Sequence, residues 1–493
     1  MHPQGIDSPT FTPGPVDGTL TIPQLIELQL EQSPDHPAFI YDDPNGDIVS
    51  VTFTQYIRTV HAAARRFLRD NAPKGIDGKP TVVGLLVNTD SLSFFSMCAG
   101  LMRAGMLPFN ISPQNSASSL AHLLKETNTA AIYVTSDLRP LVSEALGIHG
   151  GSLPVFDSFT FESMQGELDA VATESLPPTP DVLDSTAVII HSSGSTSTLS
   201  QPIYLTHRLL LQYAISPIYG HEDRCGQVFG AHTLPIFHAT GVFLLSLPFT
   251  VGITIAVPRR TVPHTHPTAE DATKAMLATK PDLVLATPAF IERWSEDPTA
   301  IQVLRSLKGL QYGGASLSKH VGDALFAQGV ALCCGYGSME TGIISPFFES
   351  HGKDWEYISI REGIDVVALP EDDEPGLYTH AYLVGPQFET TLTNVEIDGR
   401  RGYVISDLLE RHPENPLLHR VRGRKDDLIP FSSGFKMNPV PVEAQINRNP
   451  FVENCVVFGN LMSNPGIIVQ LRPEFLPDLV DDEKKAKILE SIW

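Results

Sequence analysis

The chain has 493 residues, 42% of them hydrophobic and 18% charged, the balance of a globular protein long enough for two or three domains. Its formal net charge of −22 argues against nonspecific nucleic-acid binding and against anionic membrane surfaces, but not against a nucleotide held in a locally neutral site. The cysteines Cys98, Cys225, Cys333, Cys334 and Cys455 lack metal-ligand spacing, which points to free thiols in a reducing, cytoplasmic compartment.

Residues 1–18, rich in Pro, Gly and Thr, show no signal-peptide pattern and are expected to be flexible. Ile22, Leu25, Ile26 and Leu30 then recur at helical spacing, and Ala38 to Tyr41 and Val49 to Phe53 read as strands around a turn. Thr54 is expected to cap a long helix running through Leu68. Val82 to Val87, Ser91 to Gly105 and Leu107 to Ile111 form a strand, helix, strand unit. Ser118 to Thr127 and Ala130 to Val134 extend it as helix and strand. Such alternation predicts a mostly parallel sheet covered by helices on both faces.

A proline-rich connection, Leu176 to Asp184, leads to the apolar run Ala187 to Ile190, read as a strand. The uncharged stretch Thr240 to Val257 approaches membrane-span length, but Pro248 and Gly252 interrupt it, so it reads as a buried helix followed by a buried strand. The final third is more polar and β-rich. From Gly423 onward a smaller α+β unit begins.

Between His191 and Pro202, seven Ser/Thr hydroxyls surround the single glycine Gly194. Successive backbone N–H groups in such a loop form a concave anion nest, and the hydroxyls add rotatable donors for phosphate oxygens. A solvated polar turn is the competing reading, and no lysine completes a Walker motif.

Ser192, Ser193, Gly194, Ser195, Thr196 and Pro202 resemble the phosphate loop of the adenylate-forming superfamily, which includes acyl-CoA synthetases, luciferases and peptide-synthetase adenylation domains. Ser197 replaces that family's second glycine and Gln201 its lysine. Further similarities follow in order: Leu234-Pro235-Ile236-Phe237-His238-Ala239-Thr240-Gly241, Gly313-Gly314-Ala315, Tyr336-Gly337-Ser338-Met339-Glu340-Thr341-Gly342, Tyr403 to Asp407, and Gly423-Arg424-Lys425-Asp426. Each is weak alone, and their order makes the resemblance specific.

The resemblance implies an α/β fold: a large N-terminal adenylation domain of mostly parallel and mixed sheets covered by helices at 19–424, a hinge at Asp426, and a partial small α+β subdomain at 427–493. It implies ATP and Mg2+ as reactants, with Ser192, Ser193, Gly194, Ser195 and Thr196 on the phosphates and Glu340 on the metal. Tyr336, Gly337, Gly314 and Ala315 would take adenine, while Asp407 and Arg424 would take ribose. The acid pocket would be lined by His238, Ala239, Val242, Gly313, Gly335 and Ile343, with His238 and Glu340 closest to the chemistry.

Amino-acid-activating members carry an aspartate where this chain has His238. A buried carboxylate is what an α-ammonium requires, so the histidine points to an acid without an α-amino group, with an aryl or other bulky acid suiting the small, apolar lining. His238 reads equally as a gate or as a core histidine. The family's catalytic lysine has no counterpart before Trp493, which reads as the mark of a fragment. Ser432 to Glu443 is similar to fungal peptide-synthetase-like enzymes, implying transfer to a carrier-protein phosphopantetheine and later release by a reductase or thioesterase. A stand-alone acyl- or aryl-CoA synthetase and a catalytically weak nucleotide- or acid-binding module remain the alternatives.

Overall fold

Apolar runs alternating with helical spacings build the two largest sheets of the computed structural model, which describes residues 2–70, 80–168, 175–192, 199–261, 264–371, 376–430, 436–437, 439–459, 462 and 464–492. Strands such as Ala131–Val134 and Thr186–His191 are buried almost throughout, as strands covered by helices on both faces must be. The chain divides into two compact units, residues 1–365 with 382–403, and residues 366–381 with 404–493.

The first unit contains both sheets. The six-stranded one runs Val155–Asp157, Ala131–Val134, Val82–Leu86, Leu107–Asn110, Thr186–His191 and Pro202–Thr206, parallel except at the last strand. The seven-stranded one runs Leu332–Cys334, Gly309–Tyr312, Leu283–Ala286, Val228–Gly230, Thr254–Ala256, Pro37–Asp42 and Ile48–Thr52, again with one antiparallel edge. One core joins them: Phe39, Phe229 and Ile255 of the larger sheet and Val83, Tyr133 and Val188 of the smaller share a cluster with residues of Phe53–Arg69, Ser91–Arg103 and Ala239–Val251. Ligands of open α/β sheets bind beyond the carboxyl ends of parallel strands. Here those ends lead into the serine-rich loop, the Leu234 to Gly241 turn, Gly313-Gly314 and Tyr336.

Two local expectations are corrected. Residues 2–18, expected to be flexible, are fastened down: Phe11 is 2% exposed with its ring against His36 and Phe53, and the Gly5 N–H donates to the Asp223 carboxylate. A lone aromatic in a polar stretch leaves no periodic signal. The second helix starts after Thr52, not Thr54. Gln55 falls at its third position and completes a reciprocal cap, donating its N–H to Thr52 Oγ1 at 3.3 Å and accepting the Thr52 N–H at 2.9 Å. The uncharged stretch Thr240 to Val257 folds as expected into a buried helix, Ala239–Val251, and a buried strand, Thr254–Ala256; Pro248 sits inside the helix, which ends at Gly252 with φ of 68°. Among the described residues no helix is long and apolar enough to cross a membrane.

The second unit gathers residues 366–381 and 404–424 with everything after them, so its border differs from the one expected at 424–427. Strands Leu377–Leu383 and Arg400–Arg411 each pass from one unit into the other, and pairing along a strand ignores motif boundaries. Within this unit the hairpin Val452–Phe458 and Gly466–Leu471 packs Val452 and Cys455 against Val442 and Ile446 of the helix Val440–Ile446. All five cysteines are free.

Candidate active site

The serine-rich loop leaves the sheet between two antiparallel strands and is pinched at its base. The Ser192 N–H donates to the Gln201 carbonyl at 2.9 Å, and the Gln201 N–H donates to Ser192 Oγ at 3.0 Å. Ser193, Gly194, Ser195 and Thr196, the remainder of the expected phosphate cradle, lie outside the described residues. The Gln201 amide turns back on the loop, donating to the Leu199 carbonyl at 3.2 Å, with its nitrogen 3.3 Å from His122 Nε2.

His238 caps the helix Ala239–Val251 through its backbone, and its side chain makes no capping hydrogen bond. Its ring centroid lies 4.8 Å from that of Phe237 and 6.5 Å from that of His191. Burial, and then the neighbouring His191, push its pKa down to about 4, so the imidazole is neutral at physiological pH. Val242 belongs to the main core, and Ala239, Met339 and Ile343 pack against that same core.

Gly241, the last residue of the turn motif, has no room for a side chain, because a Cβ there would fall inside the Ile236 carbonyl. Gly241→Ala is therefore expected to destabilise the chain by about 1–3 kcal/mol, the usual cost of forcing a methyl into packed structure. Urea denaturation measures this, and a variant of parental stability would show that the turn opens freely.

Parallel pairing of Tyr312 with Cys334 sets the next two motifs side by side. The Gly335 N–H donates to the Tyr312 carbonyl at 2.7 Å, and a Cβ on Gly313 would stand 3.2 Å from the Gly335 carbonyl oxygen. Gly314 adopts φ of +80°, a conformation that favours glycine; Ala315 follows it. Tyr336 is 9% exposed and its backbone is held on both sides: its N–H donates to Ser345 Oγ at 2.9 Å, and its carbonyl accepts from Ile344 and Ser345.

Gly337 and Ser338 then pair with Ile343 and Gly342, placing Glu340 in the hairpin turn. Ser338 Oγ accepts the Glu340 N–H at 3.2 Å, and the Glu340 carbonyl accepts the Thr391 N–H at 2.7 Å. Thr391 Oγ1 also donates to the Met339 carbonyl at 2.9 Å. The backbone of Glu340 is thus clamped, while its half-buried carboxylate forms no hydrogen bond or ion pair among the described residues.

In the second unit Asp407 lies opposite Arg424 on antiparallel strands. The Arg424 guanidinium grips Asp426 with two hydrogen bonds, of 2.9 and 2.7 Å, which raises the arginine pKa and lowers that of the aspartate. The expected ribose helper is therefore engaged by the expected hinge residue. In the first unit a cavity of about 220 Å³ opens against Asn88, His232, Thr233 and Phe237; its lining does not include Gly313, Gly335 or Ile343.

A serine-rich loop, a glycine pair and a tyrosine–glutamate hairpin follow the carboxyl ends of parallel strands, in the order expected of an adenylate-forming enzyme. Residues 26–364 match the family of AMP-binding enzymes and residues 426–493 the AMP-binding enzyme C-terminal domain; the chain belongs to that family. Its relatives include fungal adenylate-forming reductases. It is 33% identical, over 99% of its own length and 46% of the relative's, to adenylate-forming reductase Nps10 of Heterobasidion annosum. It is 23% identical to the carboxylic acid reductase of Neurospora crassa, over 92% of this chain and 43% of that protein. The chain thus spans less than half the length of these relatives. Its fold matches the adenylation domain of a Mycobacterium chelonae carboxylate reductase with a TM-score of 0.71 at 16% identity, covering 97% of this chain and 84% of that one.

Sequence reading missed the supports of Glu340. Thr391 lies far along the chain from the carbonyls it holds, and the Gln212 side-chain amide accepts the Glu389 N–H at 2.8 Å and donates to the Glu389 carbonyl at 3.2 Å, which fastens the segment carrying Thr391. No local pattern marks either residue.

Proposed function

We propose that this chain activates a carboxylic acid lacking an α-amino group as its acyl-adenylate. The acid's carboxylate attacks the α-phosphorus of ATP and pyrophosphate leaves, which demands alignment and charge neutralisation rather than a protein nucleophile. The family match supports the reaction, and one observation carries the substrate class: His238 is half-buried and neutral where an ammonium would need a carboxylate. A neutral imidazole offers a hydrogen bond but no countercharge.

In this reading Ser192 to Thr196 cradle the β- and γ-phosphates. Tyr336 stacks on adenine beside Gly314, Ala315 and Gly337, and Asp407 accepts the ribose hydroxyls with Arg424 nearby. The acid rests among His238, Ala239, Val242, Gly313, Gly335 and Ile343. No cluster of three His, Cys, Asp or Glu side chains is present among the described residues, and magnesium in nucleotide sites needs only one or two protein carboxylates beside phosphate oxygens. The uncommitted Glu340 carboxylate fits that need; a bound ion would supply charge neutralisation on the polyphosphate.

Asp426 serves as the hinge of the small subdomain at 427–493, beyond the large domain at 19–424. The acyl group then passes to a carrier-protein phosphopantetheine thiol, with reduction or thioesterase release afterwards. This reading is supported by the names of the reductase relatives.

The test is ATP–pyrophosphate exchange across amino, aryl and α-keto acids. Exchange is expected with acids lacking the amino group. Preference for an α-amino acid would overturn the inference from His238, and ATP binding without exchange for any acid would favour a nucleotide-binding module.

A further inference from the structure

We propose that Asn115 and His191 form a brace that positions both stems of the serine-rich loop for the polyphosphate of ATP, acting through Ser192 and Ser200 without touching the nucleotide. The inference rests on the phosphate-binding reading of that loop.

His191 ends the strand Thr186–His191 and is 4% exposed. The Ser112 N–H donates to its Nε2 at 2.9 Å, and a backbone amide only donates, so Nε2 carries no proton. The proton therefore sits on Nδ1, which donates to the Ser192 carbonyl at 2.9 Å. One ring thus links the turn after the strand Leu107–Asn110 to the first residue of the loop. Burial also favours this neutral form.

Asn115 supplies the second arm. Its Nδ2 donates to the same His191 nitrogen at 3.2 Å and to the Ser112 carbonyl at 3.0 Å. Its Oδ1 accepts from Ser119 Oγ at 3.1 Å and from Ser200 Oγ at 3.4 Å. Ser200, on the returning stem, is 6% exposed. Together with the Ser192–Gln201 pinch, these bonds tie both ends of the loop to one fixed turn of the neighbouring strand. A loop that binds through its own backbone amides needs such support, because a displaced amide loses its hydrogen bond to phosphate.

The test compares ATP, with magnesium, and AMP as calorimetric ligands of the 493-residue chain and of His191→Phe and Asn115→Leu. AMP lacks the β- and γ-phosphates, so loosening the loop is expected to weaken ATP by about tenfold, the equivalent of one ordinary hydrogen bond, while AMP affinity holds. A merely structural role would weaken both ligands alike. Equal losses, or unchanged ATP affinity in either folded variant, would overturn the brace. If His191→Phe fails to fold, as judged by circular dichroism, Asn115→Leu carries the same comparison. Failure of the parent chain to bind ATP would instead reject the loop reading, and the brace with it.

Discussion

Glu340→Gln is expected to slow ATP–pyrophosphate exchange roughly 100- to 1,000-fold while leaving the thermal midpoint where it was. The backbone explains the second half of that expectation: Ser338 and Thr391 hold Glu340 through its N–H and carbonyl, and glutamine keeps both bonds. The carboxylate itself contributes no hydrogen bond or ion pair among the described residues, so folding loses nothing with its charge. The first half follows from the proposed metal role. Charge stabilisation of a transferring phosphoryl group by a bound ion is worth several kcal/mol, and each 1.36 kcal/mol is about tenfold in rate. Exchange kinetics beside a melting curve separate the two effects. An unchanged rate would remove Glu340 from the chemistry, and a lowered midpoint would make it a structural residue.

Stability is expected to fall steeply between pH 6.5 and pH 4. Burial drives the pKa values of His207, His232 and His238 from the ordinary 6.5 down to about 4. In that window the unfolded chain takes up protons that the folded chain refuses, so unfolding becomes easier as pH drops through 6.5 toward 4. At pH 5 each histidine costs roughly 2 kcal/mol relative to neutral pH, and the three together on the order of 6 kcal/mol, a large share of a domain's net stability. Urea midpoints at pH 7 and pH 5 measure the loss. Equal midpoints would mean that these imidazoles gain their protons without leaving the fold. Substituting His207 by Asn is expected to flatten the dependence by one histidine's share.

Much of the candidate site's local structure could be read along the chain, because its turns are short. Tyr336 and Glu340 stand in one short hairpin, Gly313 and Gly314 follow one strand, and the hydroxyls of the serine-rich loop fall in one short stretch. The strand, helix, strand pattern from Val82 to Val134 was equally open to reading, because burial on both faces demands unbroken apolar runs in the strands. Short-range order of this kind determines which backbone groups can reach a common ligand.

Other features depend on which strands become neighbours, and no local pattern carries that information. Asn115 meets His191 only because Leu107–Asn110 pairs with Thr186–His191. Thr391 reaches the carbonyl of Glu340 across some 50 positions, and Phe11 is buried by partners from elsewhere in the chain. Arg424 closes on Asp426, two residues away, through a rotamer that a motif does not specify. Residue order thus established the chemical groups and their turns, whereas sheet register and side-chain packing decided their supports. Hydrogen bonds between distant segments form only once the sheets have aligned, and the same alignment buries the histidines and leaves the Glu340 carboxylate uncommitted.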